Sequence, residues 1–160
     1  MKRAAVISDC GVYRYWLERV WGADHAQPFI MLNPSIADAD IDDPTIRRCM
    51  GFARREGRGG IIVVNLYGLR ATSPKQLRTV ANPIGPENDG HIGDVATWAA
   101  KADVPVICAW GTLAARARAD NVMRLLQRSG VRTVCLGKSK RGAPNHPLYL
   151  KGDQPLEMFQ

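Results

Sequence analysis

Four apolar runs, Pro28–Leu32, Ile61–Asn65, Val104–Ala109 and Thr133–Leu136, constrain this chain more than any other feature. Each is continuous rather than alternating, the pattern of a strand covered on both faces. The stretches between them are amphipathic. Ile46, Cys49, Met50 and Ala53 fall at helical spacing, Ile92, Val95, Ala96 and Ala99 repeat it, and Thr112 to Arg128 carries Leu113, Ala117, Val122, Leu125 and Leu126. Strand and helix alternate three times, which signals a parallel sheet with crossover helices. The pattern predicts a three-layer α/β/α fold with a central, mainly parallel four-stranded sheet. At 160 residues, one domain over residues 1–160 has room for a full core and two do not.

The N-terminal part reads differently. Ala4–Ser8 has strand character and Asp9-Cys10-Gly11 is a turn signal. Tyr13, Tyr15, Leu17, Arg19 and Trp21 then alternate at period two. Either a hairpin added to the sheet edge or a helix over Val12–Trp21 accommodates this. The tail from Gly142, rich in Pro and Gly, is expected to be loop. No apolar run approaches the ~20 residues of a membrane span. Met1 to Cys10 offers only Ala4–Ile7 as an apolar stretch, too short for a signal-peptide core, so no membrane association and a cytoplasmic location are expected. Cys10, Cys49, Cys108 and Cys135 include no C-x-x-C pair, so they read as reduced, buried thiols rather than metal ligands.

Twenty-two Lys and Arg against fifteen Asp and Glu give a formal charge of +7. Such an excess in a small domain favours a polyanionic partner. It is concentrated: Arg47 to Arg78 holds eight basic residues and one acid, Glu56, and Arg116 to Arg141 holds eight and one acid, Asp120. Such faces suit phosphate contacts, and equally suit solvated helix surfaces.

In an open parallel sheet the ligand site lies at the carboxyl ends of the strands. The first strand ends in Asn33-Pro34-Ser35, where Pro34 stops the strand and leaves an amide at its tip. Asp38, Asp40, Asp42 and Asp43 follow. Asp43-Pro44 makes a good helix start. The carboxylates also admit a catalytic role, or a hard cation, with Arg47 and Arg48 as alternative neutralising partners. The second strand ends in Asn65, whose amide needs a partner and is suited to a base edge. Tyr67 offers a stacking face and Arg70 a phosphate contact. The third run ends in Trp110-Gly111-Thr112, where Gly lets the chain turn into a helix whose N-terminus faces an anion. The last region carries Lys138, Lys140, Arg141, His146, Leu148 and Tyr149. Gly57-Arg58-Gly59-Gly60 precedes a strand instead of following one, so it reads as a tight turn and not as a dinucleotide loop.

These tips, in this order, resemble the uracil-DNA glycosylase superfamily: Asn33-Pro34-Ser35, then Asn65, then Trp110-Gly111-Thr112-Leu113-Ala114, then His146-Pro147. The chain also resembles, over nearly its whole length, a bacterial and phage family of unestablished function with N-P-S-x-A-D, D-D-P-T and N-L-Y-x-x-R-A-T stretches. The glycosylase resemblance implies that Asn33 orients the attacking water and that Asn65 reads a flipped base, with Tyr67 beside it. Pro34 and Ser35 would shape the pocket floor. His146 would stabilise the leaving base, and Asp38 or Asp43 would supply an added carboxylate. Arg47, Arg48, Arg70, Lys138, Lys140 and Arg141 would hold the DNA, and Leu148 or Tyr149 would wedge into the duplex. Ser35 replaces a Gly common in such first motifs, and Leu148 stands where the His-Pro loop usually has Ser.

The function so implied is a monofunctional DNA N-glycosylase. It would hydrolyse the bond to a flipped damaged or modified base, such as a glucosylated hydroxymethylcytosine of phage DNA, in repair or in defence against phage. No cofactor, no metal and no obligate protein partner is expected; the partner is double-stranded DNA. Two alternatives stay open. One is a metal-dependent nuclease or phosphoesterase built on the Asp38–Asp43 cluster. The other is a non-catalytic nucleic-acid-binding module.

Overall fold

A computed structural model describes residues 1–160. Its strands are β1 (Lys2–Ile7), β2 (Arg14–Val20), β3 (Ala26–Met31), β4 (Gly60–Asn65), β5 (Val106–Cys108), β6 (Thr133–Cys135) and β7 (Glu157–Met158). The helices are α1 (Pro44–Arg55), α2 (Asn88–Lys101) and α3 (Arg116–Ser129). All seven strands join one mixed sheet in the order β1-β2-β4-β3-β5-β6-β7. The four apolar runs form its parallel centre, β4-β3-β5-β6.

The expectation of four strands is therefore too small. The N-terminal segment is a hairpin, β1 antiparallel to β2, and β2 in turn pairs antiparallel with β4. On the other edge β7 pairs with β6. β7 lies in the tail read as loop. Two residues leave no periodicity to detect, and the segment is held instead by buried Phe159, whose ring meets Trp110 edge-on at 5.6 Å.

The parallel strands alternate between two cores. Ile62 and Val64 join Ile92, Val95 and Ala96 of α2 and Val122 and Leu126 of α3. Ile61 and Val63 join Ile46, Cys49 and Phe52 of α1. The chain steps from β3 to β4 in one direction, then crosses back past β3 to β5 and on to β6. Right-handed crossovers then require α1 on one face and α2 and α3 on the other. The strand order thus reverses at β3, and the crevice of such a fold opens at that reversal.

Local chemistry fixes the elements. Asp43 caps α1 by accepting the Ile46 N–H at 2.9 Å, and Pro44 occupies its first turn, as the sequence predicts. α3 begins at Arg116, four residues after the expected start, because Gly111 takes a left-handed φ of 73° and the next residues run irregularly. Among the thiols, Cys49, Cys108 and Cys135 are buried as expected, but Cys10 is exposed in the hairpin turn. No helix is long and apolar enough to cross a membrane.

The Asp-rich segment is organised chiefly from the hairpin; Arg47 adds one contact, to Asp42 O, and Arg48 none. Arg19 of β2 is 0% exposed and donates to Asp42 Oδ1 at 2.7 Å, to Asp38 O at 2.6 Å and to Ile41 O at 3.3 Å. Arg3 adds a second contact to Asp42 at 3.2 Å. Removing a buried guanidinium strands its partners without solvent, a loss on the order of 3–5 kcal/mol. Urea unfolding of Arg19→Met should show a destabilisation of about that size. A change below about 1 kcal/mol, the scale of a surface ion pair, would contradict this role for Arg19.

Candidate active site

At the reversal point the strand tips enclose a cavity of about 510 Å³. Asn33 enters from the end of β3, Asn65 from β4, Trp110 and Gly111 from β5 and His146 from the loop after β6. Three side chains far apart in sequence are brought to one space.

Asn33 is fixed by its own amide. Nδ2 donates to Pro34 O and to Ala71 O, both at 2.9 Å. Both amide protons are used, so the orientation is set and Oδ1 remains as an acceptor. Asn65 is 1% exposed, and its Nδ2 has no hydrogen-bond partner in the chain. A buried donor left unmet costs about 1–3 kcal/mol. The backbone that carries it is held firmly: Asn88 Nδ2 donates to Asn65 O at 2.9 Å and to Leu66 O at 3.2 Å. Arg118 Nε also donates to Leu66 O, at 2.8 Å, while its Nη2 pairs with Asp89 at 2.6 Å.

His146 Nδ1 accepts the Leu148 N–H at 3.2 Å, which leaves Nε2 as the proton-bearing nitrogen. Burial lowers the pKa of the imidazole, with Asp43 acting against that shift. Its loop is clamped onto α1 by Arg48, which donates to Pro147 O at 3.4 Å and to Leu150 O. Gly111 closes the other side. Its N–H donates to Pro144 O at 2.8 Å, and its φ of 73° is one that a side chain would strain.

Asp43 lines the cavity and Asp38 does not. Asp38 is spent on a turn: its carboxylate accepts the N–H groups of Asp40 and Ile41 at 2.8 and 2.9 Å, which lower its pKa. Asp43 keeps one oxygen beyond the one that caps α1. The Asp38, Asp42 and Asp43 carboxylates serve separate partners, and no three His, Cys, Asp or Glu side chains gather into a group that could hold a metal ion. Ser35 lines the cavity, whereas Pro34 acts through its carbonyl.

Several expected contacts are placed elsewhere. Tyr67 is buried among α2 and α3 and its hydroxyl accepts the Ala115 N–H, so it presents no stacking face. Arg48 holds the His146 loop instead of facing solvent. Arg47 donates to Asp42 O at 2.7 Å, and Lys138 lies 4.0 Å from Glu157. Arg70 is half-buried away from the cavity wall, while Lys140 and Arg141 are exposed. Leu148 is part of the wall, and Tyr149 stands at the mouth 91% exposed. Leu113, 55% exposed, also lines the cavity.

Arg14 also lines the cavity, though it stands at no parallel strand tip. It is 2% exposed, donates to Ala37 O through Nη1 and leaves Nε unpaired. Burial draws its pKa down to about 10 against the opposing pull of Asp43. The hairpin alternative carried the signal for it: a strand antiparallel to β4 starts where β4 ends.

A family model described as a protein of unknown function, DUF1643, matches residues 14–148. No curated protein and no solved structure matches the chain.

The His146 geometry carries a pH signature. A histidine whose folded pKa is depressed contributes its full stability above the unfolded value near 6.5. That contribution is lost as pH falls through the lower, folded pKa, because the unfolded chain takes up the proton first. Urea unfolding at about pH 7 and about pH 5, spanning that value, should show a smaller loss of stability on acidification for His146→Gln than for the wild type. An equal loss would contradict a buried, neutral imidazole.

Proposed function

We propose that this chain, a member of the DUF1643 family of proteins of unknown function, is a DNA N-glycosylase that excises a flipped-out damaged or modified base. One observation carries the reading: Asn33, Asn65 and His146 meet at one cavity, and the most buried of them has an amide with no partner in the protein. Such a donor facing a cavity can be met by water or by a ligand acceptor that displaces it, and the edge of a nucleobase supplies one. The basic charge of the chain suits the phosphates on either side.

Each group then has a task. Asn65 Nδ2 donates to an acceptor on the base. Asn33 Oδ1 accepts a proton of the attacking water and aims its oxygen at C1′. As the C1′–N bond breaks, its electron pair passes to the base and the sugar becomes oxocarbenium-like. Nε2–H of neutral His146 donates to the base as negative charge builds on it, while the Asp43 carboxylate offsets the positive charge on the sugar. The water then bonds to C1′ and releases its proton to Asp43 or to solvent. Tyr149 at the mouth fills the gap left in the duplex.

The test uses labelled duplexes bearing uracil, hypoxanthine, hydroxymethylcytosine or glucosylated hydroxymethylcytosine. Alkali-dependent cleavage of at least one is expected, unaffected by chelator. Asn33→Ala and His146→Ala should each slow it by roughly 10²–10³, the loss seen when a transition-state donor is removed, while DNA still binds. No abasic site on any of the duplexes, or strand breaks that appear without alkali and vanish with chelator, would overturn the reading.

A further inference from the structure

A second cavity, of about 670 Å³, lies beside the first and shares Trp110, Gly111 and Thr112 with it as a common wall. Its other side is the exposed face of α3 and the loop around Arg141. We propose that this second cavity holds the phosphodiester backbone of the strand that delivers a nucleotide to the first, an inference that rests on the nucleic-acid reading above.

The charge of the cavity is the main argument. Arg116, Arg124 and Arg141 line it, against one carboxylate side chain, that of Asp120. None of the three guanidiniums is consumed by the fold. Arg116 reaches Asp120 only at 3.9 Å, with both side chains largely in solvent, and such pairs contribute little. Arg124 bonds the neutral amide of Asn121, and Arg141 has no ion pair. Three solvated cations around a concave space attract a linear polyanion more than a compact neutral ligand. The start of α3 adds to the field, since no side chain caps it. The position supplies the second argument. The Trp110–Thr112 segment lines both this cavity and the one holding Asn65 and His146, so a strand lying in one is at the lip of the other.

The test compares wild type with a triple variant, Arg116→Gln, Arg124→Gln and Arg141→Gln. A control of equal charge loss carries Lys2→Gln, Arg78→Gln and Lys101→Gln, at exposed positions lining neither cavity. Binding of a fluorescent single-stranded 15-mer, a length of roughly 50 Å at one phosphate per ~3.4 Å of a B-form strand, is followed by anisotropy over a salt series. The triple variant should bind roughly tenfold or more weakly, and the slope of log affinity against log salt should fall by about 2, or ~0.7 for each lost phosphate contact. The control should lose much less. Equal losses in the two variants, or no change in the triple variant, would overturn the proposal, as would tighter binding of poly-glutamate than of the 15-mer. The two readings fail separately. Base excision with an unchanged salt slope sinks the second cavity alone, and the expected slope change without excision of any base sinks the glycosylase alone.

Discussion

Both faces of the parallel centre are covered, and that burial governs the rest of the molecule. Strands β4, β3, β5 and β6 have no solvent-facing side on which to put polar groups. Polar side chains belonging to these strands are displaced to their ends. Since the strands run parallel, the ends of one kind lie together. Asn33, Asn65 and the Trp110-Gly111 corner are gathered by this rule before any specific contact is considered, and the reversal of strand order at β3 opens the space between them.

A second layer of buried polar contacts sets the geometry within that space. Asn88 and Arg118 come from the α2–α3 face and fix the backbone of Asn65 and Leu66. Arg48 comes from α1 on the opposite face and fixes the loop that ends in His146. The two helix layers thus support the two sides of one cavity. Asp43 joins both functions, because the cap of α1 and the cavity wall are the same residue. Of the six buried side-chain polar atoms without a partner in the chain, two, Asn65 Nδ2 and Arg14 Nε, belong to side chains on the cavity wall.

The continuous apolar runs made the four central strands legible in the sequence, and helical spacing did the same for the cores of α1, α2 and α3. That Asn33, Ser35, Asp43, Asn65, His146 and Leu148 share one cavity was legible because strand ends, and the loops that follow them, must converge. What was not legible depended on which way a side chain turns once it leaves a strand. Tyr67 follows Asn65 by two residues yet packs into the helix layer. Arg48 lies on a basic stripe that looks solvated, but its guanidinium bonds a loop ninety-nine residues away. Asp38 looked like a reactive carboxylate, though its turn already occupies it. Arg14 and Arg19 were hidden for another reason: a lone arginine in a period-two segment shows no sign of being buried until its antiparallel neighbour is known.

The central claim is that an extracted nucleobase occupies the cavity between Asn33, Asn65 and His146. The most direct measurement is a crystal structure of the Asn33→Ala variant, which should bind while reacting far more slowly, with a duplex carrying a base the wild type excises. The account predicts that base within the cavity, an acceptor atom at hydrogen-bond distance from Asn65 Nδ2, and the His146 ring against its edge. A base still stacked in the duplex, with the cavity empty and the DNA lying on another face, would contradict it.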